Sequence, residues 1–559
     1  MRLSVKGLPN SRSLYVIKST YENGVNSSKI VEKLGTLKEL QLLHSDPVAW
    51  AKDYIAKLNQ EQQEVLVRLS PRREIKQGVQ NSYNGGYMFL QKLYTELNLD
   101  GICKEISLKY KFEYNLDSIL SRLVFSRILY PASKLATLEL SKKFFEYPMF
   151  ELHDIYRALE VIEKESDFIQ SELYKNSTIV CKRNTSVLYY DCTNYFFEIE
   201  KESGLKQYGY SKEHRPNPIV QMGLFMDANG MPLAFSISAG NTNEQTTLQP
   251  LEQKILDDFK LSKFVVCTDA GLSSLDNRKF NNVTNRGFVT TQSIKKLVEH
   301  LKTWTLDPKG WRVVGSEKLH DITEATDPET IFYKERWINE NEFSQRLIVT
   351  FSLKYKNYQR SIRNAQIERA RTAMGSTEKF PQNSYKRFIK RTHATKDGEV
   401  ASKTIYELDA NAIAEEEKYD GFYGVCTNLG DNVAEIIKIN QRRWEIEECF
   451  RIMKSEFKAR PVYLIKDDRI KAHFMTCFIA LLIYRLLEKR LDNKFTCKQI
   501  IEGLREMNFA KIPKEGYIPC YTRNSFSDAL HEKFGFRTDK EILTTSELKK
   551  ITKWTKKCT

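Results

Sequence analysis

The chain has 559 residues, of which 41% are hydrophobic and 28% charged. This is ordinary globular composition with material for two to four domains, and it excludes a disordered or fibrous protein. Lysine and arginine number 87 against 72 aspartate and glutamate, a net charge of +15 with a pI near 9.1, and such a surplus favours a polyanionic partner, most often nucleic acid.

The opening "MRLSVKGLPNSRS" lacks the apolar core of a signal peptide, so a cytoplasmic location is expected. Residues 1–80 read as a hairpin and a helical segment: "SLYVIKSTYENGVNSSKIVEKLG" (13–35) predicts two strands around a turn at Glu22-Asn23-Gly24. Residues 81–184 are expected to be helical and are a candidate DNA-binding domain. Within them, "SILSRLVFSRILYPASKLATLELSKKFF" (118–145) alternates apolar and basic residues at helix spacing and breaks at Pro131. That pattern predicts a packed helical pair with solvated lysines.

Near Thr185 the texture changes. "SVLYYDCTNYFFE" (186–198), "PIVQMGLFMD" (218–227) and "MPLAFSISAG" (231–240) read as strands, "TTLQPLEQKILDDFK" (246–260) as a helix, and "KFVVCTDA" (263–270) and "GFVTT" (287–291) as further strands. Region 185–291 therefore begins a mixed α/β sheet with helices on its faces. None of the ten cysteines forms a C-x-x-C pair, which excludes a zinc ribbon; those in apolar runs read as buried thiols of a reducing compartment.

Region 292–420 breaks the rhythm, with strands "TIFYKERWI" (330–338) and "SQRLIVTFSL" (344–353) and a basic helix over 354–374. Between Lys354 and Lys403, 13 Lys and Arg face 4 Asp and Glu, a net of +9. Arg387, Lys390 and Arg391 are its candidate DNA contacts. Trp304, Trp311 and Trp337 suit core packing, or stacking on an unpaired base. Region 421–492 returns to the sheet with "DGFYGVCTN" (420–428), "NQRRWEIEECFRIMK" (440–454) and a helix over 471–491. The longest apolar run, Phe474 to Tyr484, has eleven residues, too few to span a bilayer, so no membrane partner is expected. Residues 493–559 read as helical.

Taken as one helix at 100° per residue, 440–454 places Asn440, Arg443, Arg451 and Lys454 within about 40° of Glu447, with Glu445 and Glu448 turned elsewhere. A salt-bridge ladder accounts for that helix in isolation. Asp191 and Asp269 add to it: each is expected at a strand end, where carboxylates point into a ligand crevice, although a helix N-cap also explains Asp269. Two aspartates with Glu447 make a hard-oxygen site suited to Mg²⁺, and a pair of such ions can activate an attacking oxygen and stabilise a leaving one. Asp227 in "DANG" is excluded, because that turn wants Asp and Gly for backbone reasons. In "GYSKEHRP" (209–216), Lys212 and Arg215 are candidate DNA contacts or members of a solvated loop. His214 lacks the neighbours of a metal ligand.

These residues carry a resemblance to DDE-type insertion-sequence transposases. Arg443-x3-Glu447-x6-Lys454 matches three of the four positions of their Y-R-E-K signature, "YYDCTNYFFE" resembles the first-aspartate strand, "VVCTDAGLSS" the second, and "GYSKEHRPNPIVQMGLFMDANGMPLAF" the segment between. The resemblance implies a ribonuclease-H-like mixed sheet flanked by helices, with an inserted, mainly β subdomain; the 178 residues separating Asp269 from Glu447 leave room for it. It implies two Mg²⁺ ions, Mn²⁺ substituting, held by Asp191, Asp269 and Glu447, with Arg443 and Lys454 on transposon-end phosphates. It implies cleavage at inverted-repeat ends, joining of the 3′-hydroxyl to target DNA, and a homodimer on DNA in a prokaryotic cytoplasm. The signature tyrosine falls on Asn440, which donates a hydrogen bond but does not stack. A structure-selective nuclease on the same core and a DNA-binding protein without catalysis are the alternative readings. The basic surplus disfavours a two-carboxylate glycosidase.

Overall fold

The computed structural model describes residues 1–558 apart from 9–10, 23–24, 62–66, 68–69, 73, 375–383 and 395–402. The chain divides into two compact units. The smaller comprises Met1–Ser82, Phe509–Cys520 and Asp539–Lys549. Its first three strands, Arg2–Lys6, Ser13–Glu22 and Val25–Thr36, form an antiparallel sheet, and Leu14 packs there with Leu40 and Ala51. The expected hairpin is present; Asn23 and Gly24 of its turn lie outside the described residues.

The larger unit, Tyr83–Asn508 with Tyr521–Thr538 and Lys550–Thr559, contains every candidate site residue. Its early part is helical. Helix α1 (Leu116–Leu129) is capped by Asn115, whose side chain accepts from the Ser118 N–H. It stops before Pro131, because the residue before a proline avoids helical backbone. Helix α2 (Lys134–Ser141) starts afresh with Ser133 as its N-cap. The cations here are not all solvated as the pattern predicted: Arg127 and Lys134 are both buried.

The core sheet starts with strands β1 (Val187–Phe196), β2 (Ile219–Asp227) and β3 (Pro232–Ala239), an antiparallel meander. Helix α3 (Leu248–Asp258) follows, then β4 (Phe264–Thr268), parallel to β1, and β5 (Arg286–Gln292), parallel to β4. The spatial order β3-β2-β1-β4-β5 is ribonuclease-H-like. The inserted region extends this sheet and adds a two-stranded hairpin sheet of its own. Strands β6 (Arg312–Val313), β7 (Phe332–Glu340), β8 (Phe343–Phe351) and β9 (Phe422–Thr427) continue beyond β5 in the order β9-β8-β7-β6, giving nine strands. Within the insertion, Trp311 is fully buried and its Nε1–H donates to the Asp307 carbonyl. Trp304 packs on the same core and Trp337 is exposed. Helix α4 (Leu353–Met374) and the hairpin of Ile389–Ala394 and Lys403–Leu408 close on a small core of their own, with Ala370, Tyr385 and Phe388 at its centre.

Alternation along β1 decides what faces the site. Leu188, Tyr190 and Cys192 pack on Leu248, Leu251 and Ile255 of α3. Tyr189 and Tyr195 therefore face the opposite side, where the Tyr189 hydroxyl donates to the Ile439 carbonyl and Tyr195 meets Phe474. Asp191 shares that face. The next three α-helices after β9 are α5 (Val433–Gln441), α6 (Trp444–Arg451) and α7 (Asp467–Arg490). By length and composition α7 is apolar enough to cross a membrane, more than the eleven-residue run implied, but 89% of its apolar window is buried inside the protein.

The "DANG" turn has a second function. Asp227 accepts from the Asn229 and Met231 N–H groups and also pairs with Arg183 at 2.5 Å, both side chains buried. Removing one member of a buried pair strands the other charge, at about 3–5 kcal/mol. Asp227→Ala should lower stability by that amount in urea unfolding. A loss below about 1 kcal/mol, the scale of an ordinary hydrogen bond, would leave the turn as the residue's only role.

Candidate active site

The two aspartates meet because of strand register. In the parallel pair β1–β4, Val187 lies beside Val265, Leu188 beside Val266 and Tyr189 beside Cys267. Pairing stops there. Two residues further along, the same register sets Asp191 opposite Asp269, where the strands part. Asp191 is thus in the middle of β1, not at its end: β2 still pairs with it on the other edge, opposite Leu224. Asp269 follows directly after β4. Its Oδ1 accepts from the Gly271 and Leu272 N–H groups, closing a tight turn, and its carbonyl accepts from Thr290. The N-cap of the next helix, Leu275–Phe280, is Ser274, so capping that helix does not explain Asp269.

Burial and the neighbouring Asp269 push Asp191 up to about 7, against the pull of Lys212, Arg443 and the Cys192 N–H. Two opposed carboxylates, one of them costly to ionise, are a donor pair that a cation relieves.

The stretch 440–454 is not one helix. Helix α5 ends at Gln441, α6 begins at Trp444, and a π-helical turn covers Ile452–Glu456. The angles expected from a continuous helix therefore do not hold across it. Asn440 is buried at the end of α5, its Oδ1 accepting from Thr291 at 3.4 Å. Arg451 turns to Glu448 and Glu456, away from Glu447. Glu445 is spent on Arg442 and Arg485. Glu447 differs from both neighbours: its side chain is 57% exposed and pairs with Arg443 at 3.3 Å. Arg443 links the two halves of the site. Burial pulls its pKa down, but Tyr423, Glu447, Asp191 and Asp269 together hold it above the usual value. Its Nε is buried with no hydrogen-bond partner.

Two more cations, Lys212 and Lys454, feel the charge of Asp191. Lys212 donates to the Cys192 carbonyl and pairs with Glu244 at 3.2 Å. Lys454, in the π-helical turn, lies over the Tyr195 ring and is pushed down to about 8 by burial and the charge of Lys212. Arg215 stacks on Phe196 at 4.1 Å. Glu213, which the sequence reading passed over, sits between Lys454 at 3.5 Å and Arg215 at 3.8 Å and also pairs with Arg460. His214 is exposed in a left-handed backbone conformation, and among the described residues no group of three His, Cys, Asp or Glu gathers as for a metal. Glu447 is held by Arg443 rather than gathered with the aspartate pair.

A second residue was missed. Tyr423 of β9 hydrogen-bonds Thr291 at 2.7 Å and lines, with Tyr355, Asn440, Arg443, Trp444 and Glu447, a cavity of about 310 Å³. Its strand "DGFYGVCTN" was legible, but nothing in the spacing said that its ring lies beside Arg443. The basic insertion partly neutralises itself. Lys354 pairs with Glu329, Arg363 with Asp420 and Glu417, Arg371 with Glu368, and Arg387 with Glu416. Lys390 is exposed on its strand opposite Glu407; the side chain of Arg391 lies outside the described residues.

A sequence model of the family described as "Transposase DDE domain" matches residues 195–483, more than half of the chain. The match includes Asp269, Glu447 and Lys454 and begins four residues after Asp191. No curated protein matches the chain. Among solved structures it is similar to a cryo-EM structure of the piggyBac transposase synaptic complex with hairpin DNA, at 9% identity over 84% of each chain, with a TM-score of 0.35.

The raised Asp191 has a consequence for stability. In the unfolded chain this carboxyl ionises near the ordinary value of about 4, and in the folded protein near about 7. Without metal, the folded state therefore loses stability as pH rises between those values. Asp191→Asn removes the penalty. It should raise unfolding free energy at pH 8 by on the order of 2–4 kcal/mol and leave it nearly unchanged at pH 4, read from urea midpoints in chelator. Equal midpoints at both pH values would mean that Asp191 ionises as if in water.

Proposed function

We propose, on the premise that the chain belongs to the transposase DDE domain family, that it cuts DNA at the ends of a mobile element and joins the freed 3′-hydroxyl to target DNA. One observation carries this reading: Asp191 and Asp269 oppose each other where two parallel strands part, with Arg443 between that pair and Glu447. Divalent ions, Mg²⁺ or Mn²⁺, supply when bound an activated oxygen nucleophile and relief of the charge on the scissile phosphate. Asp191 and Asp269 would hold such an ion. Glu447 is exposed and paired with Arg443, and it would be free to join them if Arg443 paired with a phosphate instead. Lys212 and Lys454 bind backbone oxygens beside the aspartates. Glu213 neutralises Lys454 and Arg215 in the DNA-free protein, and a phosphate takes its place when DNA binds.

Asn440 occupies the position where the resembling family carries tyrosine. A tyrosine hydroxyl is nevertheless present beside Arg443, from Tyr423 on the adjacent strand. In this reading Tyr423 takes over the contact to the DNA end. The protein works as a homodimer, one copy at each element end.

Asp269→Ala and Glu447→Ala should each abolish cleavage of an element end and retain its binding, because the cations supply most of the affinity. Glu448→Ala should stay active, since its partner is Arg451. A dead Glu448→Ala beside a normally cleaving Glu447→Ala would sink this assignment. Offering pre-cleaved ends separates the reactions: strand joining identifies a transposase, and cleavage without joining leaves a nuclease on the same core.

Tyr423→Phe should weaken binding of an element end about tenfold, the scale of one lost hydrogen bond to a charged group. Asn440→Tyr in that background should restore it. Unchanged affinity in Tyr423→Phe would remove this residue from the DNA contact.

A further inference from the structure

Away from the carboxylates, a cavity of about 450 Å³ opens beside the loop between α1 and α2. Arg127, Lys134, Lys458, Arg460 and His473 line it, and no aspartate or glutamate does. Lys134 is 5% exposed and its Nζ is buried with no hydrogen-bond partner. Arg127, also 5% exposed, spends Nη1 and Nη2 on the carbonyls of Phe457 and Ala132, and its Nε is left without a partner. His473 is buried, and burial together with the charges of Arg127 and Lys134 holds it neutral.

A buried cation without a counter-charge is destabilising and is normally paired or absent. Here two such groups converge on one space, with Lys458 and Arg460 at its wall. Burial and Arg127 push the Lys134 ammonium down to about 7. Residues 131–135, the start of α2 and the loop before it, also line the cavity, so the positive end of that helix adds to the same field.

We propose that this cavity is a phosphate-binding site, with Lys134, Arg127 and Lys458 as its charged donors. A multiply protonatable oxyanion matches several convergent cations and a helix start better than one carboxylate does. Its position favours a phosphate on a nucleic-acid strand. Arg460 borders the cavity and also pairs with Glu213, which pairs with Lys454, whose charge feels Asp191. A strand crossing the aspartates along Lys212, Lys454 and Arg460 reaches the cavity. The strand as source rests on the transposase reading; the phosphate site itself does not.

The test uses the full chain as wild type, Lys134→Met and Lys458→Asn. Lys458 is exposed, with φ at 45°, a backbone that asparagine tolerates, so the second variant keeps the fold. Lys134→Met removes an unpartnered charge and should unfold no earlier than wild type in phosphate-free buffer. Titrate inorganic phosphate alone by calorimetry at constant ionic strength. Wild type should bind it, Lys134→Met should bind about tenfold more weakly or worse, and Lys458→Asn severalfold more weakly. In a second arm, titrate a DNA duplex. Weakened DNA binding in both variants, with phosphate competing against DNA in wild type alone, identifies a strand as the source. Unchanged DNA affinity with lost phosphate binding identifies a free phosphate ligand. Phosphate binding equal in wild type and Lys134→Met overturns the site. So does no phosphate binding in wild type when all three proteins bind DNA alike. Failure of DNA cleavage with phosphate binding intact faults the transposase reading and leaves this site standing.

Discussion

The register of two parallel strands governs the rest of this molecule. Once β1 and β4 pair from Val187 with Val265, Asp191 must stand opposite Asp269. Neither carboxylate can escape, because the backbone of each is tied elsewhere: β1 to β2 along its other edge, Asp269 to its own turn and to Thr290. Two like charges at that spacing, one of them desolvated, are tolerated only with cations around them. Lys212, Arg443 and Lys454 provide that surrounding charge, each from a different segment. The strands part at this point, and both aspartates are partly exposed there.

The helix break carries the second half of the arrangement. A continuous helix over 440–454 would have aligned Asn440, Arg443, Arg451 and Lys454 on the Glu447 face. Instead α5 ends at Gln441, which buries Asn440 against β5, and the π-helical turn at Ile452–Glu456 carries Lys454 over Tyr195 beside the aspartates. Single π-helical turns of this kind often occur at functional positions. The outcome is a division of labour among neighbouring glutamates: Glu445 at 13% exposure and Glu448 are consumed by arginines, while Glu447 stays open.

The net charge of +15 is not spread evenly in its effect. In the insertion, where the surplus is densest, Arg363 is locked to Asp420 and Arg387 to Glu416. In the segment that carries Lys212, Glu213 holds Lys454 and Arg215. Among the described residues, Lys134 is buried with its Nζ unpartnered and Arg127 with its Nε unpartnered. Counting charges along the chain does not find them, because pairing is a property of space and not of composition.

Much of this was legible in the residues. The alternation of "VLYYD", the buried run "FVVCTD" and the turn chemistry of "DANG" determine strands and their faces locally, since side-chain period and turn preference act over a few residues. The order of three strands, helix and strand determines the sheet's class for the same reason. The angles that single out Glu447 belong to a continuous helix that the structure breaks; what separates it from Glu445 and Glu448 is its exposure and its pairing with Arg443. Beyond a few residues local rules stop. That Asp191 sits mid-strand, that Tyr423 stands beside Arg443, that inserted strands extend the core sheet, and that Lys134 is buried without a partner all depend on contacts between segments far apart in the chain. Those contacts are set by register and packing, which no local preference encodes; only the tertiary structure decided them.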